Sequence, residues 1–324
     1  MIELSHITKD FRVAKRNAGL GEAFRALWKR EYTVIHALND VSFSIGDGEM
    51  VGYIGPNGAG KSSTIKVMSG ILTPDSGSCV IDGLVPWKNR TEHVSHIGVV
   101  FGQRSQLWWD VPVIDSFELL RDIYRMEAAV YRASLDELTE LLDLAEFLRT
   151  PTRQLSLGQR MRCEIAASLL HRPRILFLDE PTIGLDAVSK VAVREFIRRI
   201  NRERGTTVIL TTHDMQDIEA LTERILLIGG GRILLDGSLS ELKARRTAFR
   251  TMKVDYSSGT LPELAGASVV SAENGHAVLR IDTTVLSVSG AIEAISRTAE
   301  LTDLSVEGIS AEELVVSLYQ EYVL

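Results

Sequence analysis

Gly55-Pro56-Asn57-Gly58-Ala59-Gly60-Lys61-Ser62 fits the spacing G-x-x-x-x-G-K-[ST]. The chemistry of that spacing is phosphate binding. Glycines let backbone N–H groups turn inward onto phosphate oxygens with no Cβ in the way. Lys61 would set its ammonium on the β- and γ-phosphates, and the Ser62 hydroxyl would ligate Mg²⁺. A helix running on from Ser63 would turn its positive end toward the same phosphates. The apolar run Met50-Val51-Gly52-Tyr53-Ile54 just before the loop is of strand type. Strand, loop and helix thus follow in the order the motif requires.

Two other stretches carry candidate chemistry. Ile175-Leu176-Phe177-Leu178 is a buried-strand run that ends in Asp179-Glu180. A carboxylate at such a strand end can hold Mg²⁺ directly or through water. Leu155-Ser156-Leu157-Gly158-Gln159 opens a helix predicted to run through Leu170, with Ser156 as its cap.

The elements that must position these groups alternate along the chain. Residues 1–12 read as an edge strand and 34–45 as a second strand. Between them, residues 13–31 are basic, with Leu20, Phe24, Leu27 and Trp28 on one helical face. That face suits a membrane surface, a partner, or the protein's own domain. Residues 79–83 and 96–101 read as strands, and Gln103 follows the second. Residues 114–148 turn helical. Residues 187–202 form an amphipathic helix, and the β-branched run 206–211 leads to His213. Residues 224–228 and 232–236 flank Gly229-Gly230-Gly231 as a hairpin. Beyond Ser240, strands are expected at 249–256, 269–272, 277–282 and 304–307, and helices at 285–298 and 310–322.

The totals bound the class. The chain has 324 residues, 45% hydrophobic and 24% charged, the balance of a globular protein of one large or two ordinary domains. Cys79 and Cys163 stand far apart in no metal-ligand spacing and read as small buried hydrophobes. No apolar run approaches the ~18–20 residues that span a bilayer, and no signal peptide is expected. The net charge is −7, and residues 250–324 hold four Lys/Arg against eleven Asp/Glu, the whole of that deficit. The asymmetry predicts a separate acidic C-terminal module and argues against a nucleic-acid partner.

Six motifs follow one another: the phosphate loop, Gln103, Leu155–Gln159, Ile175–Glu180, Gly184-Leu185-Asp186 and His213. In this order the chain resembles the ATP-binding subunit of an ABC transporter over roughly residues 1–240. The resemblance implies an α/β fold: a P-loop NTPase cassette at 1–240, with a mixed sheet core and a helical subdomain at about 104–172. Residues 241–324 would form a small accessory α+β domain. It further implies ATP and Mg²⁺ as cofactors. Gly55, Pro56, Asn57, Gly58, Ala59, Gly60, Lys61, Ser62 and Ser63 would line the phosphates, with Ser62, Gln103 and Asp179 toward the metal. Glu180 matches the catalytic glutamate, Gln103 the glutamine that touches metal or water, and His213 the switch histidine. Ser156, Gly158 and Gln159 match the signature that completes the site of a second copy, and Asp186 a dimer-contacting aspartate. The signature departs at one place, where Leu157 replaces the usual glycine. Tyr32 is preferred over Phe11 as the aromatic stacked on adenine.

The expected partners are a second copy, head to tail, and an integral membrane permease on whose cytoplasmic side the chain would sit. Trp108 and Trp109 are candidate docking residues. The insert, Leu157 and the acidic module resemble the exporter-type subfamily. The rival is a non-transport ABC ATPase acting on a macromolecule.

Overall fold

The computed structural model describes residues 1–14, 32–102, 104–212, 214–245, 249–308 and 315. The basic helix expected within 13–31, the helix at 310–322, Gln103 and His213 lie wholly or mostly outside the described residues. The chain forms two compact units, Met1–Asp236 and Gly237–Leu324.

In the first unit, β1 (Ile2–Ala14) and β2 (Tyr32–Ile45) pair antiparallel from Ile2–Ile45 to Ala14–Tyr32. A turn through Asp47 and Gly48 leads into β3 (Met50–Ile54), then the phosphate loop, then α1 (Lys61–Met68). β4 (Ser76–Ile81) returns to the other edge of β1, giving the sheet order β2-β1-β4. α2 (Arg90–His96) then precedes β5 (Ile97–Phe101). His96, expected in the strand, therefore ends a helix. The polar segment Arg-Thr-Glu-His-Val-Ser-His has no apolar period to announce one, and its single buried residue, His93, bonds the Met68 carbonyl at 2.7 Å.

A helical block follows: α3 (Val113–Ile123), α4 (Ala128–Leu141) and α5 (Leu157–Leu169). The chain then alternates through β6 (Ile175–Asp179), α6 (Ala187–Arg204), β7 (Thr207–Thr211), α7 (Met215–Leu221), β8 (Arg224–Gly229) and β9 (Arg232–Ser238). Among the described residues these complete a six-stranded sheet in the order β5-β6-β7-β3-β8-β9. The β5/β6, β6/β7, β7/β3 and β3/β8 pairs are all parallel.

Parallel strands covered on both faces need continuous apolar runs rather than alternation. Ile175, Leu176, Phe177 and Leu178 are all fully buried, as are Val51, Tyr53 and Ile54. Burying each such side chain stabilises the fold by about 1.5–3 kcal/mol before chain entropy is counted. Because these strands are parallel, their carboxyl ends share one edge: Asp179 sits opposite both Phe101 and Thr211, and Tyr53 opposite Thr211. Ligands of open α/β sheets bind beyond that edge.

In the second unit, α8 (Leu239–Arg245) precedes β10 (Phe249–Gly259), β11 (Ala267–Glu273), β12 (His276–Asp282), α9 (Val288–Ser296) and β13 (Ala299–Glu307). The strands form an antiparallel sheet in the order β11-β12-β10-β13. Met252, Val254, Leu279 and Ile281 bury one face with Ala291 and Ile295 of α9. β13 begins at Ala299 rather than near Leu304. Its mostly polar residues at 300–303 hide the first half of the strand from a reading by hydrophobicity.

Candidate functional site

The loop at 55–62 leaves β3 at the centre of the large sheet. Two of its glycines are required by space as well as by conformation. A Cβ on Gly55 would lie 2.5 Å from the Ile228 carbonyl oxygen, and one on Gly60 (φ 113°) 2.7 Å from that of Ala37. Gly58 has φ 81° and faces open space, so conformation alone asks for glycine there. The loop is braced from behind: Gly231 N donates to Ala59 O at 3.0 Å and Asn39 N to Gly231 O at 2.8 Å. Gly60 caps α1 without a side-chain bond, so no side chain of its own takes up the helix's first N–H groups.

Lys61 is buried, and its Nζ donates to Gly55 O at 2.6 Å and Pro56 O at 3.1 Å. Burial pulls its pKa below the ordinary lysine value, against the opposing charges of Glu180 and Asp179. A buried cation leaning on neutral carbonyls beside a cradle of backbone donors suits a polyanion.

Ser62 Oγ donates to Asp179 Oδ2 at 3.1 Å, joining α1 to the end of β6. Thr211 Oγ1, from the end of β7, donates to the other carboxylate oxygen at 2.5 Å. These hard oxygens fit Mg²⁺, which keeps waters and phosphate oxygens in most of its positions. Among the described residues no cluster of three or more His, Cys, Asp and Glu could hold a metal unaided. Glu180 follows with φ 56°, a left-handed backbone rare for glutamate, and its N–H donates to Thr211 O at 2.8 Å. Strain of this kind at a non-glycine residue is held where the surrounding structure over-determines it, as at functional sites.

Gly102 N donates to Asp179 O at 2.8 Å, and a Cβ there would lie 2.7 Å from the Glu180 carbonyl oxygen. This close approach brings the backbone of Gly102, the residue before Gln103 in the chain, to Asp179 and Glu180. Thr212 and Asp214 bracket His213. Asp214 N donates to Thr212 Oγ1 at 2.9 Å, and Lys190 of α6 donates to Asp214 at 2.5 Å. Burial alone would raise the Asp214 pKa; its bonds from Lys190 and Gln216 N and the charge of Arg194 outweigh that and lower it.

The signature residues lie at the start of α5. Ser156 Oγ accepts from Gln159 N at 3.2 Å, and Gln159 Oε1 accepts from Ser156 N at 2.9 Å, a closed capping box. Leu157 is exposed and packs over Gly184, while a Cβ on Gly158 would lie 2.6 Å from Ser189 Oγ. Asp186 caps α6, accepting from Ser189 N at 2.9 Å and Ser189 Oγ at 2.7 Å, and these bonds hold its carboxyl below the usual range. Within one chain, the starts of α5 and α6 therefore touch.

The two aromatic candidates differ in ladder position. Ala37 and Leu38 contact the loop at Gly60. Phe11 pairs with Ile35, two residues or about 7 Å up the strand from Ala37. Tyr32 stands five residues away, about 17 Å. Trp108 and Trp109 are exposed, with the Arg160 guanidinium 5.7 Å from the Trp109 ring.

Sequence reasoning missed Thr211, though its place at the end of a β-branched strand was visible. It also missed a buried network behind the site. Asp217, fully buried on α7, takes bonds from Arg194 (2.5 Å), Thr212 (3.3 Å) and Thr182. Nothing in the local sequence marks it.

The sequence model of the family described as ABC transporter matches residues 38–183. The uncharacterized ABC transporter ATP-binding protein YhcH of Bacillus subtilis (strain 168) is 34% identical over 197 residues, 61% of this chain and 63% of that one. The daunorubicin resistance ATP-binding protein DrrA3 of Streptomyces coeruleorubidus is 33% identical over 290 residues, 89% of each chain. Among solved structures, a dimeric post-hydrolysis state of the ATP-binding cassette MJ0796 bound to ADP and Pi aligns with a TM-score of 0.61. That alignment has 28% identity and covers 74% of this chain and 99% of that one.

Proposed function

Since this chain belongs to the family of ABC transporter ATP-binding proteins, ATPases in which two cassettes face each other, we propose that it drives export through a separate membrane permease. Ser62 and Asp179 carry the ATPase part of this reading. Their 3.1 Å bond holds the phosphate loop against the strand end that leads into Glu180. The match to a daunorubicin resistance protein along 89% of both chains supports the outward direction.

In this reading the backbone N–H groups of 57–62 receive the phosphates of ATP, and Lys61 exchanges its two loop carbonyls for phosphate oxygens. Ser62 and Asp179, with Gln103, would hold Mg²⁺, which when bound neutralises charge on the phosphate oxygens. Glu180 orients the attacking water and accepts its proton, and His213 steadies the γ-phosphate end. Phe11, nearer the loop along the ladder, is assigned to adenine in preference to Tyr32. Ser156, Gly158 and Gln159 of a second copy close the site from the opposite side, with Asp186 beside the contact. Closing excludes water, which strengthens each of these contacts. The permease docks at Trp108 and Trp109 on the cytoplasmic face, where exposed tryptophans suit a binding hot spot. Among the described residues no helix is long and apolar enough to cross a membrane.

Mixing two inactive variants tests the composite site. A Lys61→Ala copy keeps its signature, and a Ser156→Arg copy keeps its phosphate loop. Each alone should lack turnover, and the mixture should regain it through the one intact pairing. No recovery on mixing would reject the shared site.

A further inference from the structure

Loop 104–110, which follows Gln103 and carries both tryptophans, is fastened to one side chain in the middle of the signature helix. Glu164 of α5 is only 4% exposed. Its carboxylate takes a short bond from Ser105 Oγ and a 3.1 Å bond from Gln106 N, and its carbonyl oxygen accepts from Gln106 Nε2 at 2.9 Å. Ser105 Oγ in turn accepts from Leu107 N at 3.1 Å, so the turn is built around the same carboxylate. Arg160, one turn nearer the helix start, lies over the Trp109 ring, and its N–H donates to Ser156 O at 2.9 Å. Burial pushes the Glu164 carboxyl above the usual range, partly offset by these bonds. A buried carboxyl is costly, and this one is spent wholly on the loop rather than on packing.

We propose that Glu164 is a positioning residue that ties the loop carrying Trp108 and Trp109 to the Ser156 end of α5. Ser156 lies about 12 Å away along a rigid helix. Displacement of the loop therefore moves the capping box with it instead of dissipating in a hinge. The consequence for turnover rests on the function proposed above: a permease pressing on the tryptophans would re-aim Ser156 and Gly158 toward the second copy's nucleotide. The mechanical tie itself does not depend on that function.

The test uses the full chain with Glu164→Ala, Glu164→Gln and Ser105→Ala. Amide hydrogen exchange is followed without nucleotide in peptides covering 104–112 and 155–162. Glu164→Ala and Ser105→Ala should each raise exchange about tenfold in both segments, since removing one partner strands the other. Glu164→Gln, which keeps one acceptor oxygen, should stay near wild type. With ATP, both disruptive variants should lose kcat while nucleotide affinity at the phosphate loop holds. Ser105→Ala speeding exchange at 104–112 alone would overturn the proposal. So would a uniform rise across α3, α4 and α5, the mark of simple packing loss. If Glu164→Ala fails to fold, Ser105→Ala, which removes a single hydroxyl, decides. A wild-type chain without ATP turnover would sink the proposed function, while the nucleotide-free exchange still judges the tie.

Discussion

Leu157 stands over Gly184: its Cδ2 lies 2.8 Å from where a Cβ on residue 184 would sit, and Gly184 has φ 70°. The leucine that breaks the signature pattern thus packs within its own chain, against the turn that leads to Asp186. The branched side chain at 157 is accommodated because 184 has none. Gly184→Ala should destabilise by about 1–2 kcal/mol through the left-handed backbone alone, with a further loss from the clash with Leu157. Leu157→Ala in the same chain should recover only the second part. Thermal unfolding of the two single variants and the double variant separates the terms, and strictly additive losses would show that the two residues do not meet.

Glu180→Gln keeps the side chain's shape and removes its capacity to take a proton. The backbone that presents it, with its N–H on Thr211 O at 2.8 Å, is untouched by the change. Turnover should fall about 10²–10⁴-fold, and ATP binding should persist. Trapped with ATP and Mg²⁺, the variant should run as a dimer in gel filtration. A monomer under those conditions would contradict the closing of two copies around the nucleotide.

What the sequence made legible and what it hid divide by range. The phosphate loop, the carboxylates at 179–180 and the Ser156–Gln159 box are local patterns, whose residues lie within a few positions of one another. The site itself is not local: Ser62 and Asp179 stand 117 residues apart, and Ser105 and Glu164 stand 59 apart. A single sequence carries no mark of such pairs. The parallel strands were readable because they are buried on both faces and so apolar throughout. α2 escaped because it is short and polar, and the first half of β13 because it lies on a sheet edge. Leu157 was visible as a departure, but its partner Gly184 needed the fold.

The register of β1 on β2 sets Phe11 opposite Ile35, close to the residues that touch the loop, and leaves Tyr32 at the far end of the hairpin. Phe11→Ala should weaken ATP binding by the loss of one stacked aromatic, about 1–3 kcal/mol. Tyr32→Ala should leave affinity unchanged. Titration of both variants with a fluorescent ATP analogue distinguishes them, and the reverse ranking would return the assignment to Tyr32.

Asp217 and Arg194 form an ion pair out of water, with Thr182 and Thr212 sharing the same carboxylate. Removing Asp217's charge takes away the shorter of Arg194's two carboxylate contacts and leaves it only Asp214, at 3.6 Å. Asp217→Asn should therefore cost about 3–5 kcal/mol, read as a lower urea midpoint. Thr182 stands two residues after Glu180, and Thr212 just before His213. Turnover should thus fall even at temperatures where the variant remains folded. A variant with wild-type stability would show that Asp214 alone suffices to hold Arg194.

His171 stacks on Tyr124, ring centroids 3.9 Å apart, and bonds the Ile97 carbonyl at 2.9 Å through Nε2. Burial lowers its pKa from 6.5 to about 4, only partly opposed by the bond to Ile97. The folded chain thus keeps this ring neutral where the unfolded chain takes up a proton. Its contribution is complete above pH 6.5 and is lost as pH falls toward 4, below which the loss levels off. The full loss is about 3 kcal/mol at most. His171→Phe keeps a ring against Tyr124 and gives up the carbonyl bond, about 1 kcal/mol at neutral pH. Urea unfolding at pH 7.5, 5.5 and 4.5 should then show the two chains converging as acid is added. The variant should overtake wild type once the histidine's proton costs more than the bond it made. Parallel curves across that range would mean that the ring takes its proton inside the fold.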